Sequence, residues 1–282
     1  MKGLGFWTAL LTVVLLRGQA DDSKPASKED AEEAARRLAA MKQVASMSNL
    51  YLGTDRKTKL TLHSDPLLRW SNPVSGVKDG ALLMWTAAGR PEVLDQPFLN
   101  RQGDWVHEYS SLSLGSLVAE DEGRLWWHPS KTGVEMKSVP RASTPAKTAA
   151  QRLREMRAIA GHFTASTVFG DMPTRYELRL LPSPLYRYGK PDTELLDGAL
   201  FAFVQGTNPE VILLIEARTR DGGYEWQYGI APMTVYGSEA TLDGAVVWSI
   251  PRRLARLQDP DATFFVRKFT PMASGEFVEV RP

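Results

Sequence analysis

Apolar and polar positions follow two rhythms along this chain, and each rhythm occurs twice. From about Ala31 to Ser48, Leu38, Met41 and Ala45 recur at spacings of three and four, giving one apolar stripe in a stretch rich in helix formers. Ser27-Lys28-Glu29-Asp30 places a capping serine and acidic residues at its start, and Arg36, Arg37 and Lys42 fall off the stripe on what reads as a solvated face. Leu153, Met156, Ala160 and Phe163 make a second stripe, with Thr144 as its cap and Pro145 at the first helical position. After the first helix, strands are predicted over Asn49 to Leu52, Lys57 to His63, Gly80 to Thr86, Pro91 to Leu99, Trp105 to Leu112 and Gly123 to His128. After the second, they are predicted over Phe163 to Phe169, Tyr176 to Leu181, Gly198 to Gln205, Val211 to Arg218 and Glu225 to Pro232. Gly170-Asp171-Met172-Pro173 and Asp221-Gly222-Gly223 are the hairpin turns.

The two runs share residues as well as rhythm. Pro66-Leu67-Leu68-Arg69-Trp70, Asp79-Gly80-Ala81-Leu82 and Pro91-Glu92-Val93 recur 118 positions later as Pro184 to Tyr188, Asp197 to Leu200 and Pro209 to Val211. Trp105 and Trp127 recur 121 positions later as Trp226 and Trp248. The expectation is an α+β tandem duplication: a helix followed by a curved antiparallel sheet wrapped on it, built twice from LolA-like or cystatin-like units. Residues 31–138 form the first unit, 139–145 a Pro-containing linker, and 146–282 the second. The second includes an extra terminal hairpin, Thr263 to Phe269 and Glu276 to Arg281.

Composition narrows the function. Lys plus Arg is 34 and Asp plus Glu is 33, so no global field draws in nucleic acid. The absence of Cys removes disulfides, thiolate metal sites and cysteine nucleophiles. Lys2, the apolar run Leu4 to Leu16 and Gly18-Gln19-Ala20 read as a signal peptide over residues 1–20, followed by a polar leader over 21–30. An uncleaved N-terminal anchor is the other reading of that run, although it falls short of the ~20 apolar residues of a membrane span. The expected place is the periplasm or the extracellular space, with no transmembrane segment once the signal is removed.

The motifs Pro-Leu-Tyr-Arg-Tyr at 184–188, Asp-Gly-Ala-Leu-Phe-Ala-Phe-Val-Gln-Gly-Thr at 197–207 and Pro209-Glu210 resemble a family of uncharacterised exported bacterial proteins. The order Phe163-Thr164-Ala165, Pro184 to Tyr188, Asp197-Gly198 is similar to LolA and LolB, the periplasmic lipoprotein carriers; that resemblance implies a half-barrel that binds acyl chains. The first unit has Ser48-Asn49-Leu50 where the second has Phe163-Thr164-Ala165.

Candidate chemistry is sparse. His63, His107, His128 and His162 show no metal-ligand spacing and no repetition, and no cofactor or metal is expected. His107 and Glu108 are adjacent on a strand, so they point to opposite faces. Arg69 and Arg187 recur in aromatic turns, where the structural reading is stacking on Trp70 or Tyr188 and an ion pair with Glu92 or Glu210; the functional reading is ligand binding. Asp79 and Asp197 read as Asp-Gly turns. Glu216 sits in an apolar strand and needs a partner. Trp105 and Trp127 read as core, whereas Trp126, which answers to Val247, is free to be exposed and could serve as an aromatic platform beside His128. The binding set is therefore Trp126, His128, Glu216, Arg187 and Arg69. The expected function is non-enzymatic binding or scaffolding in the cell envelope, with a hydrophobic small molecule, lipid or envelope protein as partner. The alternative is a hydrolase with a site near His107, His128 or Glu216.

Overall fold

The computed structural model of the chain describes residues 28–72, 75–168, 174–191, 193–252, 257–272 and 276–280. The signal segment, the Ser27 cap and the 170–173 turn lie outside these residues.

The first half opens with α1 (Lys28–Ser46) and runs through β1 (Asn49–Leu52), β2 (Thr58–Lys59), β3 (Thr61–Leu62), β4 (Leu68–Asn72), β5 (Val77–Ala87), β6 (Arg90–Leu99), β7 (Trp105–Ser111), β8 (Leu117–Asp121) and β9 (Arg124–Trp127). After the short β10 (Lys137–Ser138), the second half has α2 (Ala149–Ala160), β11 (Phe163–Val168), β12 (Arg175–Leu180), β13 (Tyr186–Tyr188), β14 (Leu195–Gln205), β15 (Asn208–Arg220), β16 (Gly223–Pro232), β17 (Gly237–Leu242) and β18 (Ala245–Ile250). A hairpin of β19 (Phe264–Pro271) and β20 (Phe277–Val280) follows.

All the pairings are antiparallel and the sheets curve. The second half is a nine-stranded sheet ordered β10-β16-β15-β14-β12-β11-β17-β18, with β13 on β14. The first half has the orders β20-β19-β7-β6-β5-β3 and β2-β1-β8-β9, with β4 on β5. Only Leu60 separates β2 from β3, so this pair stands where β12 stands in the other half. The registers correspond residue by residue. Gly80 faces Phe98 and Trp85 faces Val93 in β5–β6, while Gly198 faces Glu216 and Phe203 faces Val211 in β14–β15. A β-bulge follows Trp85 in one ladder and Phe203 in the other.

Each helix buries its stripe on its own sheet. Met41 and Ala45 join Leu83, Trp85, Val93 and Trp127 in one core; Met156 and Ala160 join Phe201, Phe203, Leu213 and Trp226 in another. The α2 cap is Thr148 rather than Thr144: its hydroxyl accepts from the Gln151 amide at 3.3 Å, in a Thr-x-x-Gln box. An antiparallel sheet can keep one face in water. Here β5, β6, β14 and β15 are dry on both, because the two sheets pack back to back through a third core of Leu82, Met84, Leu94, Leu200, Ile212 and Leu214.

The edges are exchanged. The terminal hairpin, assigned from sequence to the second unit, lies in the first sheet: β19 pairs with β7, Phe265 against Tyr109 and Arg267 against His107. Conversely β10, which follows the first unit, pairs with β16, Lys137 against Tyr228. Each half thus covers an otherwise open strand edge of the other.

Candidate functional site

The repeated polar residues hold each helix to its sheet. Arg187 Nε and Nη2 grip the Asp197 carboxylate at 2.9 and 2.6 Å, and Arg152 Nε from α2 reaches the same group at 2.7 Å. Arg187 also donates to the Ala149 carbonyl at 2.6 Å. In the first half Arg69 grips Asp79 through both Nε and Nη2, and Arg37 from α1 joins at 2.9 Å. The expected partners Glu92 and Glu210 are not used, and Arg37 is not a solvated residue. Asp79-Gly80 and Asp197-Gly198 are not turns either, since both lie inside strands. Their glycines make room for rings: a Cβ on Gly80 would sit 2.3 Å from the Trp70 ring, and one on Gly198 would sit 2.6 Å from the Tyr188 ring. Arg69 and Arg187 are therefore accounted for by helix docking.

The remaining expected residues scatter. Trp126, 8% exposed, is no platform. It is packed in the first core because Arg267 of β19 stacks on it, 4.3 Å from the ring centre, while bonding Asp121 at 2.6 Å and Glu279 at 2.8 Å. His128 pairs with Asp261 at 2.9 Å on a half-exposed surface. His107 meets Asp95 at 2.7 Å but is sealed in the core, and burial pushes the Asp95 carboxyl upward. Glu216, 0% exposed, accepts from Arg90 Nε at 3.0 Å, Arg218 Nη1 at 2.8 Å and the Tyr188 hydroxyl at 2.8 Å. No two of His107, His128 and Glu216 share a site.

What sequence reasoning missed lies between the two halves. A cleft of about 810 Å³ opens there, walled by Trp70, Phe98, Val106, Met233 and Tyr236, with Glu108 in its lining. Glu108 is on the opposite face of β7 from His107, as strand alternation requires. It is 9% exposed and has no hydrogen-bond or ion-pair partner among the described residues. Beside it Gln96 Nε2 donates to Asn208 Oδ1 at 2.8 Å, and Asn208 Nδ2 donates to Glu210 Oε1 at 2.6 Å. Gln96 Oε1 and Glu210 Oε2 are buried without a partner among the described residues. Burial drives the Glu210 carboxyl up to about 8, against the pull of the Thr234 hydroxyl and the Asn208 amide. Glu108 is held well above the carboxylate range by burial, then by the charges of Glu210 and Asp95.

The charged and titratable groups around this floor come from several elements. Arg101 and Lys268 are exposed residues of the cleft lining, Tyr176 and Tyr236 are also in the lining, and Arg252 lies 6.0 Å over the Tyr236 ring. Asp95 is behind Glu108 on the other face of the sheet.

The other end of the same interface is plugged. Arg90 pairs with Glu92 at 3.1 Å and with Glu216, and Arg218 completes a four-residue ion network. Among the described residues no group of three or more His, Asp and Glu could hold a metal ion, and no helix is long and apolar enough to cross a membrane. No protein-family model, curated protein or solved structure matches this chain.

Proposed function

We propose that the chain is an exported, non-enzymatic binding protein of the cell envelope, a tandem duplication whose two units cradle an amphipathic small molecule or lipid between them. The observation that supports this reading is the inter-half cleft. Its volume of about 810 Å³ suits a ligand of ordinary size, and its apolar walls with a few buried polar groups are the usual makeup of such sites. The concave faces of the sheets are filled by α1 and α2 with their cores. This reading therefore places the ligand between the halves rather than inside a half-barrel, where the resemblance to lipoprotein carriers would put it. The hydrolase reading has less support, because its three candidate residues do not converge.

Native mass spectrometry of the full chain isolated from the cells that make it, with a titration of the neutral probe N-phenyl-1-naphthylamine, tests the proposal. A retained small-molecule mass and saturable probe fluorescence are expected, and Gln205→Trp at the cleft lining should abolish the fluorescence. Absence of both signals, or probe binding indifferent to Gln205→Trp, overturns it.

A further inference from the structure

We infer that the ligand of this cleft carries a cationic group, an ammonium or guanidinium, which enters the Glu108–Glu210 floor in the role that Arg90 plays at the plugged end of the interface. This rests on the binding reading above. Positions 118 apart hold the same register in β6 and β15, so the two ends can be compared side chain by side chain. Arg90 corresponds to Asn208, Glu92 to Glu210, Asn100 to Arg218, Phe98 to Glu216 and Trp70 to Tyr188. At the plugged end two buried carboxylates, Glu92 and Glu216, are met by two guanidiniums, Arg90 and Arg218. At the open end two buried carboxyls, Glu108 and Glu210, are met by neutral groups, the Asn208 amide and the Thr234 hydroxyl, and by no cation among the described residues. Asn stands in place of both arginines, and Phe98 and Trp70 give the lining apolar surface where the plugged end has Glu216 and Tyr188.

The hydrogen-bond inventory points the same way. Gln96 Oε1, Glu210 Oε2 and the Glu108 carboxyl are acceptors, or protonated groups that become acceptors, and none has a donor among the described residues. An ammonium supplies three donors and no acceptor, and a guanidinium five. A neutral hydroxyl supplies one donor and an anionic carboxylate none, so either leaves some of these groups unmatched, at the usual cost of buried unsatisfied polar atoms. The exposed Arg101 and Lys268 belong to the same lining, but neither bonds Glu108 or Glu210. Because Glu210 keeps its proton up to about pH 8, a cation binding at pH 7 displaces that proton to the buffer. The apolar walls then take the body of the ligand.

The test uses the full chain and three octyl probes of equal length, octylammonium, octanol and octanoate, competing against N-phenyl-1-naphthylamine at pH 7. Octylammonium should compete at least about tenfold better than octanol, with proton release seen as a buffer-dependent binding enthalpy. Asn208→Arg, which installs the guanidinium of the plugged end, should erase that preference and leave octanol competition within about twofold. Glu108→Gln should weaken octylammonium selectively and provides a second variant if Asn208→Arg does not fold. Octanol or octanoate competing as well as octylammonium overturns the cation while leaving the cleft as a binding site. If the naphthylamine does not bind at all, the binding reading falls, and this inference with it.

Discussion

The two ends of the interface between the halves are built on corresponding strands, yet one is closed and the other open. At the closed end, ion pairs and the Tyr188 hydroxyl join Arg90, Glu92, Tyr188, Glu216 and Arg218, with only Arg90 Nη2 of the cluster buried without a partner among the described residues. At the open end the corresponding positions carry Asn208, Glu210, Trp70, Phe98 and Asn100, and a cleft lies there. Backbone register is common to both, so the fold does not decide which end opens. Five side chains do. Where a buried carboxylate has its cation, the interface seals; where it has only an amide, the carboxyl holds a proton and space remains.

That comparison breaks most readily at Arg90. Arg90→Met leaves Glu92 and Glu216 buried against each other with only Arg218 beside them. Removing one partner of a buried ion pair costs about 3–5 kcal/mol, and urea melts should show a loss of that order. A loss under about 1 kcal/mol would mean that the plug does not hold the halves together.

The pH dependence of stability comes next. The Glu210 carboxyl is raised from 4.5 to about 8 in the folded protein. Between those values the folded chain holds a proton that the unfolded chain has lost, so stability falls as pH rises through the window and levels off above it. The slope from this one group is at most about 1.4 kcal/mol per pH unit. Glu210→Gln should remove it. Urea midpoints measured from pH 5 to pH 9 that keep the same slope in the variant would place the titration elsewhere.

The helix clamps offer a comparison of the same kind on a smaller scale. Asp197 takes buried Arg152 and part-exposed Arg187, whereas Asp79 takes Arg37 and Arg69, both part-exposed. Asp197→Ala should cost about 3 kcal/mol or more, since Arg152 is left buried. Asp79→Ala should cost about 1–2 kcal/mol, because water can solvate its two arginines. Equal losses in thermal or urea melts would show that burial does not set the difference.

Much of this architecture was legible before any coordinates. Helix stripes at Leu38-Met41-Ala45 and Leu153-Met156-Ala160 record which face meets a sheet, and the shared spacing of Arg69/Arg187 and Asp79/Asp197 marks the two arginine–aspartate clamps that hold helix to sheet. Local rules misled where tertiary contacts intervened. Asp-Gly is a turn signal, but at Gly80 and Gly198 the glycine clears space for a ring, and at Asp79 and Asp197 the carboxylate receives an arginine fork. The hairpin β19–β20 was assigned by proximity in sequence, whereas β7 offered it an open edge. The cleft was illegible for a different reason. Glu108 and Glu210 belong to different halves and meet only through the packing of two sheet faces, which no local pattern encodes. The available signal was in the mismatches of the repeat, Asn208 for Arg90 and Phe98 for Glu216, rather than in its matches.

The smallest expected effect sharpens the comparison furthest, because it uses one substitution at both ends. Glu216→Gln keeps the size of the side chain but removes the charge that Arg90 and Arg218 face, and an amide cannot accept from both guanidiniums and the Tyr188 hydroxyl as a carboxylate does. Buried Arg90 is then left with Glu92 alone, and part-exposed Arg218 loses its Glu216 carboxylate, at a cost of about 3 kcal/mol. Glu108 has no cation to lose. Burial, then the charges of Glu210 and Asp95, raise its carboxyl well above the ordinary range and favour the neutral form, whose planar shape Glu108→Gln keeps. The stability change at pH 7 should stay within about 0.5 kcal/mol, the range of an inert substitution. A loss at Glu108→Gln comparable to that at Glu216→Gln would mean that the open end depends on a charged carboxylate for stability. The distinction between a plugged and a ligand-ready end would then fail.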